Sequence, residues 1–239
     1  MREALIDGKL VGYEVKRSQR RTIGFSVGAE GLAVSAPRWV PLYEIDRAVQ
    51  AKSGWIVKKL HETRERSMRQ EAARIVWKNG ATLPFLGQPV TLRVDPLCTH
   101  TALGQAAPGG LQSLHIAVPD SATPEQIRSA VRGWLRLQAV ALFTERLNHF
   151  MPHIGVRWRK LSLSGAATRW GSCSASGAIR LNWRLLHFSL PVIDYVVVHE
   201  LSHLRVMDHS ARFWAIVREA LPNYAALRQQ LKGETGIGW

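Results

Sequence analysis

The stretch Tyr195-Val196-Val197-Val198-His199-Glu200-Leu201-Ser202-His203-Leu204-Arg205-Val206-Met207-Asp208-His209 decides how the rest of the chain is interpreted. It contains H-E-x-x-H, and a further histidine follows at the end of the stretch. Because an α-helix has about 3.6 residues per turn, His199 and His203 fall on one face, one turn apart. Two imidazoles so placed can bind one metal ion. Glu200, next to the first of them, is placed to act as a general base.

The third predicted ligand is His209. The spacing of the three histidines matches that of metzincins, which carry glycine where this chain has Val206. The backbone must therefore turn at Met207 and Asp208 without that glycine. Accidental spacing is disfavoured because Val196–Val198 predicts a buried helix, and buried His and Glu side chains are costly unless they are paired or metal-bound. The pattern predicts a zincin with one Zn²⁺ ion on the three histidines.

The composition is that of a globular protein. The chain has 239 residues, of which 46% are hydrophobic, enough to bury the core of one large domain or two small ones. The N-terminal sequence lacks the apolar segment of a signal peptide, and no apolar run approaches transmembrane length. The two cysteines, Cys98 and Cys173, form no C-x-x-C pair. We therefore expect a cytoplasmic protein without membrane contact. The sequence does not specify the oligomeric state. We detect no internal repeat.

The net charge is +14, and it is concentrated in the two ends of the chain. Such a charge favours anionic partners, including nucleic acid and nucleotides. The alternative is a surface of singly spread, solvated arginines. Arg20 and Arg21 follow the first predicted strand and are candidates for anion binding, although the local sequence favours a solvated hairpin loop.

Hydrophobic periodicity predicts an α+β fold. Alternating apolar residues indicate an antiparallel meander over 11–36 and further strands over 75–118, separated by helical segments over 42–74. Thr123 and Pro124 predict the start of a long helix that ends before Pro152.

The later part of the chain predicts a second domain. Short apolar segments between 161 and 184 indicate a small antiparallel sheet beside the H-E-x-x-H helix. We expect a β-rich N-terminal region with a helical insertion, residues 1–120, followed by a zincin-like catalytic domain, residues 121–239.

One predicted strand is a candidate substrate-binding element, and it contains Arg169, Trp170, Gly171 and Ser172. In zincins such a strand borders the cleft, and an extended substrate can pair with it. Gly171 permits a close backbone approach.

Aromatic residues after the third histidine are expected near the metal. Phe213 and Trp214 are predicted to form an apolar floor under the ion. Tyr224 either donates a hydrogen bond to an oxyanion or packs.

The chain resembles the YgjP-like metal-dependent hydrolases, a family related to zincin metallopeptidases of the SprT kind. The resemblance covers nearly the whole chain and rests on these segments in this order: Arg20-Arg21-Thr22-Ile23, Ala36-Pro37-Arg38, Trp55-Ile56, Arg169-Trp170-Gly171-Ser172-Cys173, Asn182-Trp183-Arg184-Leu185, Tyr195–His203 and His209-Ser210-x-x-Phe213-Trp214. It implies zinc on His199, His203 and His209, with Glu200 as general base. Relatives often have Asn at the position of Asp208, whose carboxylate is placed to orient a ligand histidine.

Three activities are compatible with these residues, because a fold does not fix a substrate. The first, which we favour, is a metallopeptidase. The second is a hydrolase of nucleoside triphosphates, in which Arg169, Arg20 and Arg21 would hold phosphates. The third is a nucleic-acid-associated protease, since related zincins act on DNA-linked protein.

Overall fold

The computed structural model describes residues 2–6, 8–28, 30–72, 75–104, 111–166 and 168–233. Internal contacts divide the chain into two compact units, Met1–Ala73 and Arg74–Trp239. The expected boundary near residue 120 falls inside the second unit, because the strands before it share one apolar core with the helices after it. Among the described residues, no helix is both long and apolar enough to cross a membrane.

The first unit consists of a four-stranded sheet and two helices. Its elements are β1 (Arg2–Ile6), β2 (Lys9–Ser18), β3 (Gly24–Gly28), β4 (Gly31–Pro37), α1 (Leu42–Ala51) and α2 (Ser53–Ala72). The strand order is β1-β2-β4-β3, in which β2 and β4 are parallel and the other pairs antiparallel. The helical prediction over 42–74 is confirmed as far as Ala72, and 73–74 lie outside the described residues.

The predicted antiparallel meander is wrong. Strand β4 lies between β2 and β3, so Arg20 and Arg21 lie in a connection between strands that are not neighbours. The parallel register places Tyr13 opposite Leu32. Both side chains are buried in the core of this unit. Apolar packing therefore favours the pairing of β2 with β4 over a local hairpin between β2 and β3.

The second unit contains two sheets, four α-helices and one 3₁₀-helix. Its elements are β5 (Thr82–Phe85), β6 (Gln88–Val94), β7 (Ala102–Leu103), β8 (Gln112–Ile116), α3 (Pro124–Ile154), β9 (Lys160–Ser164), β10 (Gly171–Cys173), β11 (Ala178–Asn182), the 3₁₀-helix (Trp183–His187), α4 (Leu190–Ser202), α5 (Ala211–Ala220) and α6 (Tyr224–Gly233). The first sheet has the order β5-β6-β8-β7 and the second β10-β11-β9. The α+β class with a β-rich N-terminal region is confirmed.

The two four-stranded sheets have the same topology, so the chain does contain a structural repeat. Across each sheet the first pair of neighbouring strands is antiparallel, the second parallel and the third antiparallel. In the chain, a helix follows the last strand of each sheet. Gly8 and Gly87, with φ of 76° and 77°, occupy equivalent turns after the first strand.

The sequences of the two repeats correspond without a gap from the fourth strand into the helix. The pairs Leu32 and Leu114, Pro37 and Pro119, Ile45 and Ile127, and Val49 and Val131 stand at equal spacing. The Leu, Ile and Val members of these pairs are all buried. The repeat is therefore a repeat of core positions, which explains why sequence inspection alone does not detect it.

Helix α3 has clear start and stop signals. The Thr123 hydroxyl accepts a hydrogen bond from the Gln126 backbone N–H, and the Gln126 side chain accepts one from the Thr123 N–H. Gly155 ends the helix in the left-handed conformation, with φ of 71°. The predicted end before Pro152 is wrong, because this capping turn carries the helix on to Ile154 and leaves Pro152 inside its last turn.

The second sheet is mixed rather than antiparallel as predicted. Strands β10 and β11 form the expected antiparallel pair, but β9 pairs with β11 in parallel. Strand β10 is an edge strand of this sheet and packs against α4. The sheet therefore presents an unpaired strand edge beside the helix that carries the H-E-x-x-H motif.

Helix α4 is buried on nearly all sides. Residues 192–198 are all buried, and the helix contacts α3, α5, α6 and β10. A bidentate ion pair fixes it to α3, since Arg146 Nε lies 2.6 Å from Asp194 Oδ1 and Nη2 lies 3.0 Å from Oδ2. Burial raises the pKa of Asp194 despite these hydrogen bonds. The pair therefore specifies how α4 sits on α3 more than it adds net stability.

We predict that Arg146→Ala lowers the free energy of unfolding by about 3 kcal/mol, because it leaves the Asp194 carboxylate buried without its partner. The double variant Arg146→Met/Asp194→Leu should recover most of this loss. Denaturant titration of the variants measures both effects.

The matched control is Glu145→Gln. Glu145 Oε1 lies 3.7 Å from Arg146 Nη1, but its side chain is 68% exposed. Its removal should leave unfolding nearly unchanged. Equal effects of Arg146→Ala and Glu145→Gln would contradict the assigned role of the buried pair.

Candidate metal centre

The three histidines of the motif converge at the end of α4. His199 lies in the last turn of α4, His203 is the residue that ends the helix, and His209 lies just before α5. Their ring centroids are 4.8–5.0 Å apart. Nε2 of His209 is 3.1 Å from Nε2 of His199. The structure therefore brings all three predicted ligands together at one point.

The chain reaches His209 without the glycine found in metzincins. After α4 the backbone continues in a tight turn, in which the N–H groups of Arg205 and Val206 donate to the carbonyl of Ser202. Among the described residues, Leu86 is the non-glycine residue with positive φ, so the segment from His203 to His209 has ordinary backbone angles. The turn therefore needs no glycine.

The Asp208 side chain stabilises the end of this turn. Its Oδ1 accepts a hydrogen bond from the backbone N–H of Ser210 at 2.9 Å. The hydrogen bonds from Ser210 hold the pKa of Asp208 below its usual value. The carboxylate thus fixes the backbone on both sides of His209, and we find no hydrogen bond from it to a ring of the three histidines among the described contacts.

The surroundings of His199 and His203 favour the neutral form of imidazole that binds metals. Burial lowers the pKa of His199 to about 3, and the charges of His203, His209 and Arg228 add to this effect. Burial also lowers the pKa of His203. Nδ1 of His203 donates to the carbonyl of Val206 at 3.2 Å, which leaves Nε2 as the free ligand atom.

Glu200 is a buried acid, and one of its carboxylate oxygens has no hydrogen-bond partner in the described part of the chain. The residue is 4% exposed, and its Oε2 has no partner among the described residues. Burial raises the pKa of Glu200 to about 8, although the charge of Arg169 acts in the opposite direction. A carboxyl in this state is typical of a functional site, because burial of an unpaired acid costs stability.

Gly171 lies directly against Glu200. A Cβ at this position would come within 2.7 Å of Glu200 Cδ and 2.8 Å of Cγ, so a side chain here would force Glu200 or the strand to shift. Gly171 thus packs closely against the Glu200 side chain, and its predicted part in binding a substrate stays a prediction. This contact brings the edge strand β10, with Ser172 half-buried beside Gly171, up to the end of α4 that carries His199 and Glu200.

The loop before β10 is tied to β11. The side-chain amide of Asn182 donates to the carbonyls of Ala166 and Arg169, and its backbone N–H donates to the carbonyl of Trp170. Trp170 packs edge-on against Phe188 at 5.0 Å. These contacts hold the loop near Glu200. The side chain of Arg169 is exposed, and its positive charge acts to lower the pKa of Glu200.

The remaining two predicted substrate residues belong to the other unit. Arg20 and Arg21 are exposed and lie between β2 and β3. The Arg20 side chain lies against Gly24. Their part in a site stays a prediction.

Aromatic rings form the floor of the site, as predicted. Phe213 lies 4.6–4.9 Å from the rings of the three histidines. Trp214 stacks on His209 at 5.8 Å, and Tyr224 stacks on Trp214 at 5.4 Å. Tyr224 therefore has the packing role that was one of its two predicted alternatives.

The sequence interpretation missed Arg228. Its guanidinium lies 4.8 Å from the centre of the Trp214 ring, and its charge contributes to the lowered pKa of His199. Arg228 follows Tyr224 by one helical turn on α6, and only the fold shows that this helix packs on α4.

A second group of possible ligands comprises Asp95, Cys98 and His115. His115 Nδ1 hydrogen-bonds Asp95 Oδ2 at 2.9 Å, and its Nε2 lies 3.1 Å from Ser113 Oγ. Both ring nitrogens already have neighbours that satisfy them. The three histidines next to Glu200 are therefore the stronger metal site.

Comparison with known proteins identifies the family. Two solved structures of metallopeptidase zymogens align with part of the chain. Abylysin from Pyrococcus abyssi is 21% identical over 38% of this chain and 93% of its own, with a TM-score of 0.37. Jannalysin from Methanocaldococcus jannaschii is 15% identical over 38% of this chain and 95% of its own, with a TM-score of 0.35.

No curated protein matches the chain. The sequence profile of the YgjP-like metallopeptidase domain matches residues 21–234, which is most of the sequence. The chain therefore belongs to the YgjP-like metallopeptidase domain family.

Proposed function

We propose that this protein is a zinc peptidase, with His199, His203 and His209 holding one Zn²⁺ ion and Glu200 acting as general base. The observation that carries the proposal is the buried carboxyl group of Glu200, whose Oε2 has no partner among the described residues, beside three converging imidazoles. The family is a metallopeptidase family, which implies a divalent metal.

The geometry of the histidines fits zinc. With Zn–N distances of 2.0–2.1 Å, two nitrogen ligands of a tetrahedral site stand about 3.3 Å apart. The Nε2 atoms of His199 and His209 are separated by 3.1 Å. When bound, zinc supplies a Lewis acid that acidifies water and polarises a carbonyl group.

Glu200 moves the protons of the reaction. Its free oxygen Oε2 takes a proton from the attacking water and later gives it to the nitrogen of the leaving amine. A carboxyl with a pKa near 8 would hold its proton at neutral pH. If His199 holds a zinc ion, the positive charge beside Glu200 would lower that pKa, and the Glu200 carboxylate would be available as a base.

The edge strand β10 binds the substrate in this proposal. Its free edge offers backbone groups to an extended peptide, which orients the scissile bond next to Glu200. Arg169 and Trp170, which precede the strand, contact the flanking side chains of the peptide. Arg228 is placed to stabilise negative charge on the carbonyl oxygen.

We predict that Glu200→Gln lowers peptide cleavage by about 10³-fold, because the amide cannot accept the proton. Zinc content should stay unchanged, since Glu200 is not a ligand in this account. Cleavage of an unfolded protein, followed with metal content, measures both.

The control for this variant is Glu219→Gln, which alters an exposed carboxylate on α5. The same preparations should be tested for release of pyrophosphate from nucleoside triphosphates. Full peptide cleavage by Glu200→Gln would contradict the mechanism, and nucleotide turnover without peptide cleavage would contradict the proposed substrate.

We also predict that Gly171→Ala reduces cleavage at least about tenfold, equivalent to about 1.4 kcal/mol of transition-state stabilisation. The added Cβ forces either Glu200 or strand β10 out of place. Steady-state kinetics detect the loss, and thermal unfolding shows whether the variant is folded.

Gly54→Ala serves as its control, because Gly54 lies in α2 and a Cβ added there would meet open space. It should leave cleavage intact. Wild-type activity of a folded Gly171→Ala variant would show that the strand does not need its close contact with Glu200.

A further inference from the structure

A cluster of arginines lines a cavity formed by α3 and the 3₁₀-helix. Arg128, Arg132 and Arg136 lie on one face of α3, four residues apart, and Arg184 faces them from the 3₁₀-helix. With Gly165 these residues line a cavity of about 580 Å³. This volume falls within the range of small-molecule sites. The cavity shares no lining residue with the three histidines.

The positive charge of this cavity is only partly balanced. Glu125 Oε2 lies 3.2 Å from Arg128 Nη1, and it is the one carboxylate paired with these four arginines in the described part of the chain. Clustered like charges repel one another, and an anion would relieve this repulsion.

Two guanidinium N–H groups in the cluster are buried and have no partner among the residues that the structure describes. They are the Nε groups of Arg128 and Arg184. A buried donor without an acceptor costs free energy, and native structures seldom leave such groups unpaired. The unmet donors therefore point to an acceptor that occupies the cavity.

Arg184 is held in place for this role. Its Nη1 donates to the carbonyl of Gly165 at 2.7 Å, and its guanidinium lies 5.2 Å from the centre of the Trp183 ring. Burial lowers the pKa of Arg184, and the charge of Arg128 lowers it further. The side chain thus has a fixed position in which Nε is still available.

The structural repeat shows that the fold does not require these arginines. At the positions of Arg128 and Arg132, the first unit has Asp46 and Gln50 on α1. The buried neighbours, Ile45 and Ile127, are the same in both repeats. The arginines are therefore an addition to a shared scaffold, as expected of a binding site.

We propose that this cavity binds a small multivalent anion of the phosphate class, with the size of pyrophosphate or the phosphate chain of a nucleotide. Guanidinium groups bind phosphoryl oxygens through paired, charge-assisted hydrogen bonds. Trp183 is only 3% exposed and offers no face on which nucleic-acid bases can stack. A small anion therefore fits the cavity better than a strand of nucleic acid.

The test is calorimetric titration of the whole protein with inorganic pyrophosphate. We expect saturable binding at one site and at least a tenfold loss of affinity in Arg132→Gln/Arg136→Gln. The control Arg157→Gln/Arg218→Gln removes the same charge from exposed positions and should bind as wild type does. Absence of binding, or equal losses in both double variants, would overturn the proposal.

Two further titrations separate this cavity from other anion sites. Pyrophosphate binding should persist in His199→Ala, and its loss there would place the anion at the candidate metal centre instead. A single-stranded oligonucleotide should bind equally to wild type and to Arg132→Gln/Arg136→Gln. Loss of oligonucleotide binding in that variant, without pyrophosphate binding to wild type, would overturn the choice of a small anion.

Discussion

The contact between Gly171 and Glu200 is the constraint on which the candidate site depends. An unpaired carboxylate in an apolar interior is unfavourable, and burial accordingly raises the pKa of Glu200 to about 8. The packing of α4 against several neighbouring elements holds Glu200 in this position. Strand β10 packs directly against the Glu200 side chain. The ion pair between Arg146 and Asp194 sets the position of α4 on α3. The site therefore contains an energetically costly buried acid whose position is fixed by the packing of the elements around it.

The two units show how one arrangement of strands and helix supports different surfaces. Both repeats bury the same kinds of residue at matching positions, such as Val49 and Val131. The exposed residues that separate these buried positions differ between the two units. In the second unit they include the arginines of the proposed anion cavity. Core packing thus fixes the architecture, while the solvent-facing side of the same helix remains available for function.

The sequence predicts the chemistry of the site better than its architecture. The spacing of His199 and His203 specifies their common helix face, because helical geometry is local. The sequence also predicts a close backbone approach at Gly171, but it does not identify Glu200 as the side chain that lies against it. Tertiary packing decides the other features, including the parallel pairing of β2 with β4, the mixed sheet beside α4 and the position of Arg228 near the histidines. The structural repeat is equally difficult to detect from the sequence, because the residues that match between the two units are buried positions separated by unrelated residues.

The most direct measurement is the zinc content of the purified protein and of two histidine variants. The account predicts about one zinc per chain in wild type, as expected for a single site, and its loss in His203→Ala. The control is His153→Ala, from the other histidine pair at helical spacing, His149 and His153, whose rings lie 5.3 Å apart on α3. This variant should retain zinc. Retention of zinc by His203→Ala, or equal loss from both variants, would contradict a metal centre built on the end of α4.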